Sequence, residues 1–293
     1  MKKVIGFYIT LGLVVLFSSC QPELDIDPDD ANPNPPVTID SMRLRMYLKL
    51  DTTRPPGQDT LYKLVFRYDN QQRLIAGDYT DWFFAPDIET GTTEYFYNGN
   101  DTQTYKFVHV FHDASTTYRD TAFLWYTNGY ISRDSFIEYK INPNEFWGTS
   151  VNYFTRTGNN VIVEKRSYFS PGITPPDEQV VGTLFQTFLN GNIISQEDTS
   201  LFNPVNFDRP HHTASYDDKK NPFYDMDLRY PVLGRTITSQ KNNLIEERRW
   251  DSGSFDNHEF YSYTYRPDGY PATAICTEPG NVFLFKAVYL YNQ

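Results

Sequence analysis

The sequence predicts an all-β protein, a long antiparallel meander of about fourteen to seventeen strands made of repeated β-hairpins that form a rolled or partly open sheet. Three observations carry this expectation. Tyr and Phe, which favour pleated and half-buried surfaces, supply 23 and 22 of the 293 residues, against 4 Trp. Apolar and polar residues alternate strictly in several runs, and turn-forming Asn, Asp and Gly return at intervals of 25 to 33 residues.

The chain opens on an address. Met1-Lys2-Lys3 is a cationic start, Val4 to Phe17 is apolar, and Ser18-Ser19 stands directly before Cys20, which is the layout of a secretory signal peptide. Fourteen apolar residues rise about 21 Å as a helix, short of the roughly 30 Å of a bilayer core, so a permanent span is the weaker reading. Leu16-Phe17-Ser18-Ser19-Cys20 resembles the bacterial lipobox, and that resemblance implies that Cys20 is acylated and attaches the protein to a membrane. Loss of residues 1–19 removes Lys2 and Lys3 and no acid, which takes the formal charge from −11 to −13. With Cys20 lipidated, Cys276 has no partner for an internal disulfide and reads as a buried, inert thiol in a strand.

Residues 20–40 read as the lipidated cysteine and an acidic, Pro-rich tether, since Glu23, Asp25, Asp27, Asp29 and Asp30 lie among five prolines between positions 22 and 36. The aspartates lack the glycine turn and distal glutamate of a calcium loop. Residues 41–293 form the hairpin-repeat domain. Met42, Leu44, Met46, Leu48 and Leu50 alternate with Arg43, Arg45, Tyr47 and Lys49, a strand with one wet face. Leu61 to Tyr68 enters the turn Asp69-Asn70-Gln71-Gln72 and returns through Leu74. The same grammar recurs near Asn98, Asn128, Gly158, Gly191, Asp217, Asn242 and Asp268, and Asn-Gly supplies the positive φ that tight hairpins need. Asn221-Pro222 favours at most one short helix near 221–230. The last run, Val282 to Tyr291, is apolar on both faces and is expected to be covered on both.

The Tyr68-Asp69-Asn70 turn, the Tyr216 to Phe223 segment, the Ser239 to Asn243 turn and Asp268-Gly269-Tyr270-Pro271 resemble those of uncharacterised Bacteroidota surface lipoproteins built from tyrosine-aspartate hairpins, and are similar in grammar to the YD repeats of RHS proteins. The resemblance implies a rolled sheet on an outer-membrane lipoprotein, exposed at the cell surface or facing the periplasm, and it implies no activity. The acid-rich segment after Cys20 resembles a surface-export signal.

Signals of chemistry are sparse. His109 and His112 are three apart on a strand and point to opposite faces, so they do not pair on a metal. His211-His212 follows Asp208-Arg209-Pro210 in an expected loop and reads as solvated. Glu246 and Glu247 face opposite ways. The sequence shows no Gly-x-Ser-x-Gly elbow, Walker loop or His-Glu-x-x-His, and no catalytic residue, metal or cofactor is assigned; a hydrolase is the remote alternative. The expected function is a non-enzymatic structural or binding module, with a glycan-binding module using exposed aromatics as the alternative. Trp82 and Trp147, beside Pro- or Gly-containing loops, are the candidate stacking platforms. The acidic balance excludes nucleic acid and favours a neutral glycan or a surface protein as partner.

Overall fold

The computed structural model describes residues 43–55, 57–82, 88–113, 115–141, 145–169, 179–200, 211–224, 240–251 and 255–292. The first eight strands are β1 (Leu44–Leu50), β2 (Thr60–Tyr68), β3 (Leu74–Asp81), β4 (Glu89–Tyr97), β5 (Thr104–His112), β6 (Thr117–Thr127), β7 (Tyr130–Lys140) and β8 (Glu145–Thr157). The rest are β9 (Asn160–Phe169), β10 (Gln179–Leu189), β11 (Asn192–Ser200), β12 (His211–Lys220), β13 (Asn242–Asp251), β14 (Phe255–Tyr265), β15 (Pro271–Glu278) and β16 (Val282–Tyr291).

Each strand pairs with its sequence neighbours, and β1 pairs with β16, so the sixteen strands form a closed barrel. This corrects the expected rolled or partly open sheet. Closure satisfies both edges, leaving no unpaired ladder. Of the segment expected to be a short helix, residues 221–224 make a turn in which Asn221 Oδ1 accepts from the Phe223 N–H at 3.0 Å; the remainder lies outside the described residues.

All the marker turns of the sequence fall at one end of the barrel. Asn128-Gly129 and Asn190-Gly191 have φ of 52° and 80°, and 52° and 78°, the left-handed pair of a two-residue hairpin loop. Asp217 and Asn242 flank the single β12–β13 connection, so two apparent repeats serve one turn. A bulge follows the start of β1, β3, β5, β11, β13 and β15 at this end, and the carbonyl just before each bulge is capped by a tyrosine. Tyr68, Tyr97, Tyr126, Tyr216, Tyr263 and Tyr291 donate to the carbonyls of Leu44, Leu74, Thr104, Ile193, Leu244 and Pro271 at 2.7–2.9 Å. Each bond joins an even-numbered strand to the strand before it, where no turn connects them. β8 and β10 carry Phe154 and Phe188 instead, and these pack on Val161, Val163 and Leu184.

Alternation divides the wall into two faces. The inward face is aromatic and shielded from water: Leu64 and Phe107 are each 1% exposed, and Tyr47, Phe66 and Tyr289 close around Phe223, itself 1% exposed. The outward face is mixed, with Thr90, Glu94 and Arg119 exposed, Arg67 paired with Asp78 at 3.1 Å and Glu246 with His258 at 2.8 Å, beside exposed Ile162, Phe185, Phe260 and Ile275. The outward side of β16 is open rather than covered, with Val282 and Leu290 exposed. A neighbouring strand shields one edge of the ladder but not a second face.

Two substitutions test this arrangement. Tyr97→Phe leaves the Leu74 carbonyl without its donor and is expected to cost about 1 kcal/mol in chemical denaturation. At Gly91 a Cβ would meet the Tyr79 ring at 2.4 Å and the Val110 carbonyl at 2.9 Å, so Gly91→Ala is expected to cost on the order of 1–3 kcal/mol.

Candidate functional site

Away from the tight turns, β12 to β14 carry a group of inward polar residues. On β12 and β13, His212 and Glu247 face inward, and His212 Nε2 stands 2.6 Å from Glu247 Oε1, an ion-pair contact without good hydrogen-bond angles. Arg249 donates to the same oxygen from Nε at 2.9 Å and holds Nη2 2.7 Å from it. Burial alone would raise the Glu247 carboxyl, but the close contact with His212 and the charge of Arg249 outweigh it and hold the group below its ordinary range. Next door on β14, Glu259 accepts from Asn257 at 2.9 Å and from the Tyr261 hydroxyl. Cys276 is fully buried, and burial followed by the Glu259 charge pushes its thiol up to about 12, so it is no nucleophile at neutral pH.

Opposite in sequence, β2 to β6 line the interior with stacked rings. Tyr62, Tyr79, His109, Phe111 and Tyr118 follow one another at centroid spacings of 4.7–6.1 Å. His109 is bonded to the Thr93 hydroxyl at 2.8 Å, and burial lowers it to about 4, so it is a neutral ring at physiological pH. Asp120, paired across the ladder with His109, is raised to about 7 by burial and then by the charge of Glu138. These groups are each held by packing or by one another. They do not converge as a nucleophile, base and oxyanion site.

The residues singled out in the sequence are dispersed. Trp82 closes β3, half-buried, its N–H donating to the Leu61 carbonyl at 2.8 Å. Trp147 stands at a bulge in the β7–β8 ladder, and its side chain lies outside the described residues, as does Cys20. His211 and His212 begin strand β12 rather than lying in a loop, and His212 is buried. The expected opposite orientation of Glu246 and Glu247 holds, one on His258 outside and the other on His212 inside. Trp125 of β6 is 42% exposed. A shallow depression of ≈ 270 Å³ on the outer wall is lined in part by Asp78, Thr90, Thr92 and His112. Among the described residues no cluster of His, Cys, Asp and Glu suits a metal ion.

No protein family matches the sequence, and no curated protein does. Solved structures do match in fold. A porin-like protein from Bacteroides vulgatus aligns with a TM-score of 0.53 at 10% identity, over 86% of this chain and 99% of that one. A porin-like protein from Bacteroides uniformis gives a TM-score of 0.42 at 14% identity, over 84% of this chain and 95% of that one. The first likeness supports the closed barrel and nothing finer.

Asp120 yields a pH prediction. Its folded pKa of about 7 lies above the roughly 3.9 of a free aspartate, so the folded state binds the proton more tightly and stability falls as pH rises from about 4 through about 7. Asp120→Asn removes that penalty. Thermal melting should show the variant more stable than wild type at pH 8, and the gain should vanish at pH 4.

Proposed function

We propose that this chain is an outer-membrane lipoprotein whose barrel stands in water beside the bilayer and acts as a binding module, neither conducting solutes nor catalysing a reaction. The observation that carries this reading is the sorting of side chains across the wall. A lipid-facing barrel surface is apolar over about 25 Å, and a Lys or Arg at its midplane costs about 2–4 kcal/mol. Here Arg67, Asp78, Glu94, Arg119 and Glu246 face outward along the strands, interrupting the exposed Trp125, Phe185 and Phe260, while Tyr47, Phe66, Phe107 and Phe223 are packed inside. A bore would leave its lining wet, but Leu44, Leu64, Phe107 and Ala287 are each 1% exposed.

The lipobox-like Leu16 to Cys20 and the following acidic, Pro-rich stretch favour attachment through acylated Cys20, with the acid-rich segment favouring the cell surface over the periplasmic side. The likeness in fold to a protein described as porin-like from Bacteroides vulgatus is in keeping with an outer-membrane setting. The absence of an activated thiol and the neutral, packed state of His109 favour binding over catalysis.

Two forms of the protein separate the possibilities. Residues 21–293, made without the lipid, should be monodisperse in detergent-free buffer, whereas the full chain processed in its own host should partition into detergent. Retention of the lipid-free form in carbonate-washed membranes, or discrete conductance steps in a planar bilayer, would overturn the proposal.

A further inference from the structure

The outer wall of β5 to β7 differs in charge from the molecule as a whole. Its acids, Asp120, Asp134 and Glu138, point inward: Asp120 and Glu138 face each other, and Asp134 is 8% exposed and accepts from Asn152. Its cations Lys106, Arg119 and Arg133 point outward, and among the described residues none has a carboxylate within ion-pair distance. Elsewhere on the wall, Arg67 of β2 is paired with Asp78.

Two of these cations are sandwiched between rings in cross-strand register. Lys106 Nζ lies 4.9 Å from the Phe96 centroid on β4 and 5.8 Å from that of Phe123 on β6. The Arg133 guanidinium lies 4.5 Å from the Trp125 ring on β6 and 5.6 Å from that of Tyr153 on β8. Phe123 and Trp125 follow one another on the outward side of β6 with centroids 6.4 Å apart, joining the two sandwiches into one ladder across five strands. The rings fix both cations against the sheet at little further entropic cost, and the Arg133 Nε is shielded without an acceptor. Among the described residues no carboxylate neutralises them.

We propose that this ladder is a binding site for an acidic polysaccharide, with the exposed Trp125 indole stacking on a sugar face while Arg133 and Lys106 take its carboxylate or sulfate groups. The proposal rests on the binding-module reading and names its ligand class. It departs from the neutral partner that net charge suggests, because charge complementarity is local here. A uronate polymer offers both flat C–H faces and sparse anions. A nucleic acid concentrates one negative charge every 1.7 Å or so of duplex, and a chain of formal charge −11 repels that density.

The test uses the full lipid-bearing chain in neutral detergent micelles, so that it does not depend on whether the barrel is soluble alone. Binding to polygalacturonate is followed by tryptophan fluorescence and by affinity electrophoresis, with neutral dextran and a single-stranded oligonucleotide as parallel probes. Polygalacturonate should bind, more weakly as salt is raised, and dextran should not. Trp125→Ala, Arg133→Gln and Lys106→Gln should each weaken binding about tenfold or more with far-UV circular dichroism unchanged, while Arg67→Gln, a paired cation elsewhere on the wall, should leave it as in wild type. Should one of these fail to fold, Arg133→Lys, which keeps the charge and loses the planar stack, replaces it and should also weaken binding. Equal binding of dextran, tighter binding of the oligonucleotide, equal loss with Arg67→Gln, or no binding of polygalacturonate would each overturn the assignment.

Discussion

The tyrosine hydroxyl that caps a bulge carbonyl is the interaction on which the tight-turn end of this barrel depends. At that end adjacent strands alternate between being joined by a connection, two to six residues long except for residues 221–241 between β12 and β13, and being joined by nothing but the ladder, and a bulge weakens the ladder just there. A buried carbonyl left bare at such a point would cost about 1–3 kcal/mol. Six tyrosines remove that cost, tying neighbouring turns together everywhere except across β7–β8 and β9–β10. Tyr68 and Tyr291 carry the series up to the β1–β16 seam from either side, where Leu44 pairs directly with Tyr291. The richness in tyrosine thus has a backbone reason as well as a packing one.

This explains what was legible in the sequence and what was not. Asn-Gly turns, alternation and spacing are local, and they located the hairpins because turn chemistry acts over a few residues. Closure is not local. It depends on β1 finding β16 some 240 residues away, and no short pattern in Leu44–Leu50 distinguishes a strand awaiting a partner from one at an open edge. The choice of inward face was equally hard to read where both faces are apolar: in β6, Ala122 and Leu124 go inside while Phe123 and Trp125 go outside. That ambiguity directed attention to Trp82 and Trp147, which sit beside loops, and away from Trp125 in mid-strand. His211-His212 read as a loop because the preceding Pro210 suggests one, yet a strand can begin directly after a proline.

Charge shows the same limit of averages. A formal charge of −11 describes the far field, and it correctly disfavours a dense polyanion. It says nothing about the wall of β5 to β7, where alternation has sent Asp120, Asp134 and Glu138 to one side and Lys106, Arg119 and Arg133 to the other. Within a Debye length of about 8–10 Å a ligand responds to that side alone. The inward acids have a cost, seen in the raised carboxyl of Asp120, and on β5 to β7 themselves the outward cations have no outward carboxylate between them.

A sixteen-stranded closed sheet can therefore serve two different solvents with the same ladder. Because side chains alternate with a period of two, moving the apolar set by one residue along every strand exchanges the contents of the barrel with its surroundings. Apolar side chains outside and polar ones within give a wall for lipid around an aqueous bore. In the present chain Tyr47, Phe66, Phe107, Phe223 and Tyr289 fill the interior, while the outer side carries Arg67, Glu94 and Arg119 beside exposed Ile162, Phe185, Phe260 and Ile275. Shared architecture with a porin-like protein is then no guide to whether the wall is wet, because the fold is set by the ladder and the medium by the parity. With the interior occupied by packing, the outer wall is the surface left for recognition, and its unneutralised cations lie where the aromatic residues that escaped the core lie too.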